Sequence, residues 1–190
     1  MGLTIRPSHP ALLVVRQAIR HDREQLLRQW VDWVDRRIED TPGLRAPTVE
    51  RQFAILIDIL IELAGPLRKQ ATELWFSACE EYGRTAAVRG LAAGEVVEEI
   101  QYLRELLIHL LSETVFDLPP RQSMAVVLRI NRMLDRGIAH AVVGYTDALV
   151  ETLLDRSGVP VAASEPGEMV VAARVEHLEE EVRRLQNQAA

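Results

Sequence analysis

Apolar residues recur along this chain at the three-to-four-residue spacing of helices, and almost nowhere at the two-residue spacing of strands. The longest such run covers residues 121–155. There Ile130, Leu134, Ile138, Val142, Tyr145, Leu149 and Leu153 keep a helical period with no proline among them. At 1.5 Å per residue, a helix of about 35 residues spans roughly 50 Å, longer than a small domain is wide. The pattern predicts a spine helix on which the other elements pack. No alternating Val/Thr/Tyr run and no Asn-Gly or Asp-Gly turn occurs, which predicts an all-α chain.

Five shorter helices are expected ahead of the spine. Ser8 and Pro10 suit the start of a first one through Ile19, and Asp22 with Gln25 has the form of a capping box that restarts or continues it. Leu27, Trp30, Val34 and Ile38 then make an amphipathic stripe, stopped by Asp40-Thr41-Pro42-Gly43. Pro47 and Thr48 open a helix that is apolar nearly all round, the mark of burial by several neighbours, and Gly65-Pro66 ends it. Residues 67–88 carry Leu67, Ala71, Leu74, Cys79, Tyr82 and Ala86 near one face. After a turn bracketed by Gly90 and Gly94, residues 95–116 turn Val96, Ile100, Leu103, Leu107 and Leu110 inward and Glu98, Glu99, Arg104 and Glu105 outward. Asp117-Leu118-Pro119-Pro120 breaks the chain before the spine.

Beyond the spine, residues 157–167 (SGVPVAASEPG) read as a linker. The last segment places Val175 and Val182 at heptad position a, with Val171, Leu178 and Leu185 at d, a choice that favours parallel two-stranded pairing. Arg174 at g and Glu179 at the next e are oppositely charged across such a pair. With roughly two and a half heptads the segment is marginal alone. The expected organisation is a bundle of about five to six helices over residues 1–156, a linker over 157–167 and a coiled-coil segment over 168–190.

Composition narrows the function classes. The 28 acidic residues outnumber the 22 basic ones, for a net charge of −6, and no dense Lys/Arg run exists. That balance argues against a nucleic-acid binder held by phosphate neutralisation. Cys79 is the only cysteine, so no intrachain disulfide forms and a reducing compartment is expected. The longest nearly apolar run, residues 53–65, carries Asp58 and Glu62 and falls short of a membrane span. The N-terminal region lacks a signal peptide's apolar length and cleavage site. A cytoplasmic location follows as the expectation.

Candidate chemistry is sparse. The five histidines form no Glu-x-x-His or His-x-x-x-His pair, so the di-metal bundle signature is missing, and no metal site is expected. His109, between Glu105 and Glu113, and His140, near Asp135, Arg136 and Tyr145, are candidate haem ligands, although a hydrogen-bonded structural histidine is the commoner outcome. His21 in RHDRE has the look of a phospho-accepting histidine, yet no ATP-binding glycine-rich motif accompanies it. Cys79 beside Glu80 and Glu81 reads as an inert helix cysteine. Trp30, Trp33 and Trp75 fall at core spacing. Arg84, Arg89 and Arg104 flank the Gly90 turn, where an anionic ligand or a carboxylate partner could meet them, although a solvated surface is the commoner outcome. No P-loop, G-x-S-x-G or nucleophile-and-base grouping is visible, so an enzyme is not expected.

Two stretches, GRTAAVRGLAAGEVVEEIQYLRELLIHLL and INRMLDRGIAHAVVGYTD, resemble the N-terminal regulatory domain of the RsbT co-antagonist (RsbRD-like) proteins, which also precedes sensor histidine kinases. The resemblance rests on Gly83 and Arg84, the Arg89-Gly90 turn, the helix from Tyr102, and later Leu134, Asp135, Ala139 and Tyr145, with Trp30 upstream. It covers roughly residues 10–156 and departs from the pattern at Ala93 and Gly94. It implies an all-helical, non-enzymatic sensory module of stress-response signal transduction, without cofactor, that homodimerises and passes a signal to an output domain or signalling partner. The spine helix and the coiled coil of Val171, Val175, Leu178, Val182 and Leu185 would carry that relay. A haem- or ligand-binding helical bundle is the alternative.

Overall fold

The structure, a computed structural model, describes residues 10–37, 46–156 and 167–189. Those residues form seven helices: α1 (Pro10–His21), α2 (Arg23–Asp35), α3 (Ala46–Leu63), α4 (Arg68–Val88), α5 (Ala93–Phe116), α6 (Pro120–Arg156) and α7 (Gly167–Ala189). No strand occurs among them. The expected all-α helical bundle is what the described residues build. Ser8, Ile38, the stop at residues 40–43 and the linker up to residue 166 lie outside the described residues.

α1 and α2 are almost one helix. Asp22 makes no side-chain cap, so the expected capping box with Gln25 does not form. Instead the Asp22 N–H donates to the Ala18 carbonyl at 3.1 Å, and the Leu26 N–H donates to the Asp22 carbonyl at 2.9 Å. With the backbone groups already paired through the junction, no side chain is required there. Three arginines tie this pair to α3. Arg23 grips Asp58 bidentately at 2.5 and 2.8 Å, while Arg16 and Arg20 meet the buried Glu62 at 2.7 and 3.1 Å.

α3 is covered by α1, α2, α4 and α7, which accounts for its apolar character on every side. Trp30 from α2 stacks on Phe53 at 4.0 Å between ring centroids and donates through Nε1 to the Glu99 carbonyl. Trp30, Phe53, Leu56, Ile57, Tyr82, Leu103 and Leu134 centre the core.

The closest backbone approach is between α4 and α6. A Cβ on Gly83 would stand 1.8 Å from the Ala141 carbonyl oxygen, and one on Gly144 would stand 1.9 Å from that of Glu80. The two glycines let the helices cross with their backbones in contact. At 37 residues α6 outruns the 21 of α4, and the last part of the expected stripe emerges from the bundle. Leu149 is 43% and Leu153 65% exposed, whereas Leu134 and Tyr145 are buried.

The heptad face of α7 is occupied within the chain. Val171, Val175, Leu178, Val182 and Leu185 are all buried, and α7 packs on α3 and α4.

Candidate functional site

The turn between α4 and α5 ends α4 with a complete glycine cap. Gly90 takes a positive φ of 79°. Its N–H donates to the Ala87 carbonyl at 3.0 Å, and that of Leu91 donates to the Ala86 carbonyl at 3.1 Å, a Schellman closure that satisfies the terminal carbonyls. At the far side, Glu95 reaches back to accept from the Ala92 N–H at 2.6 Å and starts α5.

Neighbouring side chains lock this turn into the bundle. Arg89, just before the cap, forms a bidentate pair with Glu99 at 2.8 and 3.0 Å, and both side chains are almost wholly buried, 5% and 6% exposed. The Tyr82 hydroxyl donates to the same Glu99 carboxylate, and burial together with that charge holds the Tyr82 phenol well above its ordinary range. Gln52 of α3 donates to Thr85 at 3.1 Å. From α6, Tyr145 donates to the Leu91 carbonyl at 2.7 Å. Arg84 meets Asp147 and Glu151 at 3.0 Å each, and Arg104 pairs with Asp135. This turn is a polar knot joining α2, α3, α4, α5 and α6, with no side chain left to act as a nucleophile or general base.

Two surfaces lie away from the knot. The first is the seat of α7. Arg51 of α3 holds Glu179 bidentately at 2.8 Å, and Arg174 reaches Glu81 of α4 at 3.2 Å. Beside these contacts an open cleft of about 740 Å³ separates the two helices, edged by Ser77, Glu81, Arg174, His177 and Glu181. The second surface is at the α5–α6 hairpin, where an open apolar cleft of about 460 Å³ is lined by Leu107, Leu111, Val115, Phe116, Met124 and Val127, among others. Its rim is unusually exposed: Phe116 is 85%, Met124 60% and Ile108 49% accessible.

A family model described as the RsbT co-antagonist protein rsbRD N-terminal domain matches residues 24–159. The chain belongs to that family. The resemblance read from the sequence is thereby borne out, and the RsbRD domain is a regulatory domain of stress signalling. The match runs from α2 through α6 and leaves α1 and α7 outside it. No curated protein and no solved structure matches the chain.

Five of the residues that carried the resemblance share a place. Gly83 makes the α4–α6 crossing, and Arg84 bridges the same two helices. Arg89 and Gly90 build the capped turn, and Tyr145 clamps it from α6. The motif of this RsbRD domain is thus a packing device. The sequence pattern left the three arginines an anionic ligand or a carboxylate partner as alternatives to solvent, and each pairs with a carboxylate of the chain. It also turned Glu99 outward, whereas Glu99 is the buried centre of the knot. Glu99 lies three residues after Val96 and four before Leu103, on the apolar stripe itself, and that spacing was the available signal.

The two histidines are not brought together. His109 is exposed, its Nδ1 at 3.3 Å from the Glu105 carbonyl, and it does not line the apolar cleft. His140 is half-buried, 2.6 Å from Glu80 and stacked on Phe76. His21 is exposed. Among the described residues no group of three or more His, Cys, Asp or Glu side chains converges as a metal site would. Cys79 is fully buried, and burial pushes its thiol well above the ordinary range, with Glu80 adding to the effect. Trp30, Trp33 and Trp75 are packed, the last donating to the Met133 carbonyl at 3.0 Å. No described helix is long and apolar enough to cross a membrane.

Proposed function

We propose that this RsbRD domain is a non-enzymatic input module that works as a homodimer and relays a signal along α6 toward α7 and on to a signalling partner or output domain. Family membership supports the regulatory role, and the family's description as an RsbT co-antagonist supports an RsbT-type protein as the partner class. The observation that carries the dimer is the exposed apolar rim at the α5–α6 hairpin. A soluble monomer rarely leaves a contiguous apolar patch of this kind open to water, and a self-complementary pairing across a two-fold axis would cover it. Phe116 and Met124, on successive helices, are the natural anchors because they combine large apolar area with high exposure. α6 starts at that rim and ends where the chain leads into α7, so a change of pairing at one end of this helix reaches the other as a shift of a rigid rod.

The test is the output. A chromosomal Phe116→Glu/Met124→Glu allele, in a strain carrying a stress-responsive transcriptional reporter, is expected to change the reporter's response to stress while the protein level stays unchanged. Identical responses in the wild-type and variant strains would remove the reading.

A further inference from the structure

We infer that α7 has two mutually exclusive partners, the α3–α4 groove of its own chain and the α7 of a second copy, and that the choice between them is the domain's conformational switch. This rests on the reading of the domain as a dimeric relay and supplies its moving part.

The two partnerships use the same atoms. Val171, Val175, Leu178, Val182 and Leu185 occupy the a and d positions of a parallel two-stranded coiled coil, and the same five side chains are buried against α3 and α4. The charges repeat the coincidence. In the coil, Arg174 at g faces the partner's glutamate at e. In the chain, Arg174 finds Glu81, and Glu179 at e finds Arg51. The groove therefore offers α7 an apolar floor between an anion and a cation, the frame a second α7 would offer. A helix cannot present one face to both.

The two states are close enough in free energy to exchange. Docking within the chain gains from an effective concentration on the order of millimolar, set by a connection of ten residues between α6 and α7. A free coil of this length is marginal on its own, but pairing through α5–α6 would bring two such helices together and supply the same advantage. The groove state is the one seen here. α7 also lies outside the residues matched by the family model, as expected of an appendage that reports on the bundle.

The experiment is cysteine cross-linking of the full chain. Val182→Cys sits at an a position, where two coiled α7 helices bring the thiols together, while docking buries it in its own chain. The native thiol of Cys79 is buried, and the protein without Val182→Cys sets the background. Under mild oxidation, Val182→Cys alone is expected to give little covalent dimer. Adding Arg51→Glu, which weakens docking but leaves the coil intact, should raise the yield several-fold. Adding Glu179→Arg instead sets a second cation against Arg51 in the groove and against Arg174 in the coil, so α7 loses both partners and the yield stays low. Combining Arg51→Glu with Glu179→Arg restores the groove pair in reversed order, with the coil still repelled, and the yield returns to that of Val182→Cys alone. Arg51 and Glu179 are both solvent-accessible, and helical melting curves verify that each variant folds. An unchanged yield with Arg51→Glu, or a raised yield that persists in the reversed pair, would overturn the exchange. If the chain sediments as a dimer but this pattern is missing, the exchange fails and the dimer stands. If the pattern appears while Phe116→Glu/Met124→Glu leaves the stress output untouched, the exchange stands and the proposed function fails.

Discussion

Glu99 shows how one side chain sets the character of a bundle. Its carboxylate is buried with Arg89 and accepts from Tyr82, so every charge at the centre of the knot has a partner. Removing one side of such a pair leaves the other buried and uncompensated, at a cost of about 3–5 kcal/mol. Glu99→Gln is therefore expected to lower the unfolding free energy in a denaturant titration by that amount. A loss below about 1 kcal/mol would mean that the pair is not closed in solution. Gly83 makes a second case. A methyl group there collides with the Ala141 backbone, and forcing the helices apart costs about 1–3 kcal/mol or more. Gly94→Ala meets nothing within 4 Å and should raise stability by up to about 1 kcal/mol through helix propensity. The measurement is a pair of melting curves moving in opposite directions. Neither glycine's role is legible in sequence alone, because the same residue type marks a close crossing, a cap or nothing until its neighbour is known.

At the level of elements, helix positions followed from spacing, since a helix's buried face is written in its own sequence. What covers each face is not. The heptads of α7 state that Val175 and Leu178 need burial, and they fit a second α7 as well as they fit α3 and α4. The stripe of α6 likewise continues through Leu149 and Leu153, although the bundle beneath is shorter than the helix. Docking of α7 also carries a signature in pH. The hydrogen bonds from Arg51 hold Glu179 below its ordinary range. A lowered folded value contributes stability that is full above the ordinary glutamate value of 4.5 and is lost as pH falls through the lowered one. Burial pushes Glu81 the other way. Its ionised form costs the folded chain stability near neutrality that protonation relieves, although that form is the one Arg174 of α7 pairs with. Amide hydrogen exchange, corrected for intrinsic rates, should find α7 protected from neutral pH down to about pH 5. It should lose that protection first among the helices in stronger acid. Loss of α7 protection between about pH 7 and pH 5 would contradict this assignment of the two carboxylates.

For the whole molecule, the polar knot gives rigidity and the exposed rim gives an incomplete surface. The knot ties five helices to one turn and holds α4, α5 and α6 together. The α5–α6 rim and the seat of α7 lie away from it. Among the described residues no group of three or more His, Cys, Asp or Glu side chains converges as a metal site would. The central claim is that two copies pair through the rim. Sedimentation velocity over a micromolar to high-micromolar series tests it most directly, comparing the wild-type chain with Phe116→Glu/Met124→Glu. The account predicts a wild-type dimer and a folded, monomeric variant. A wild-type chain that remains monomeric at high micromolar concentration, or a variant that dimerises equally well, would contradict it.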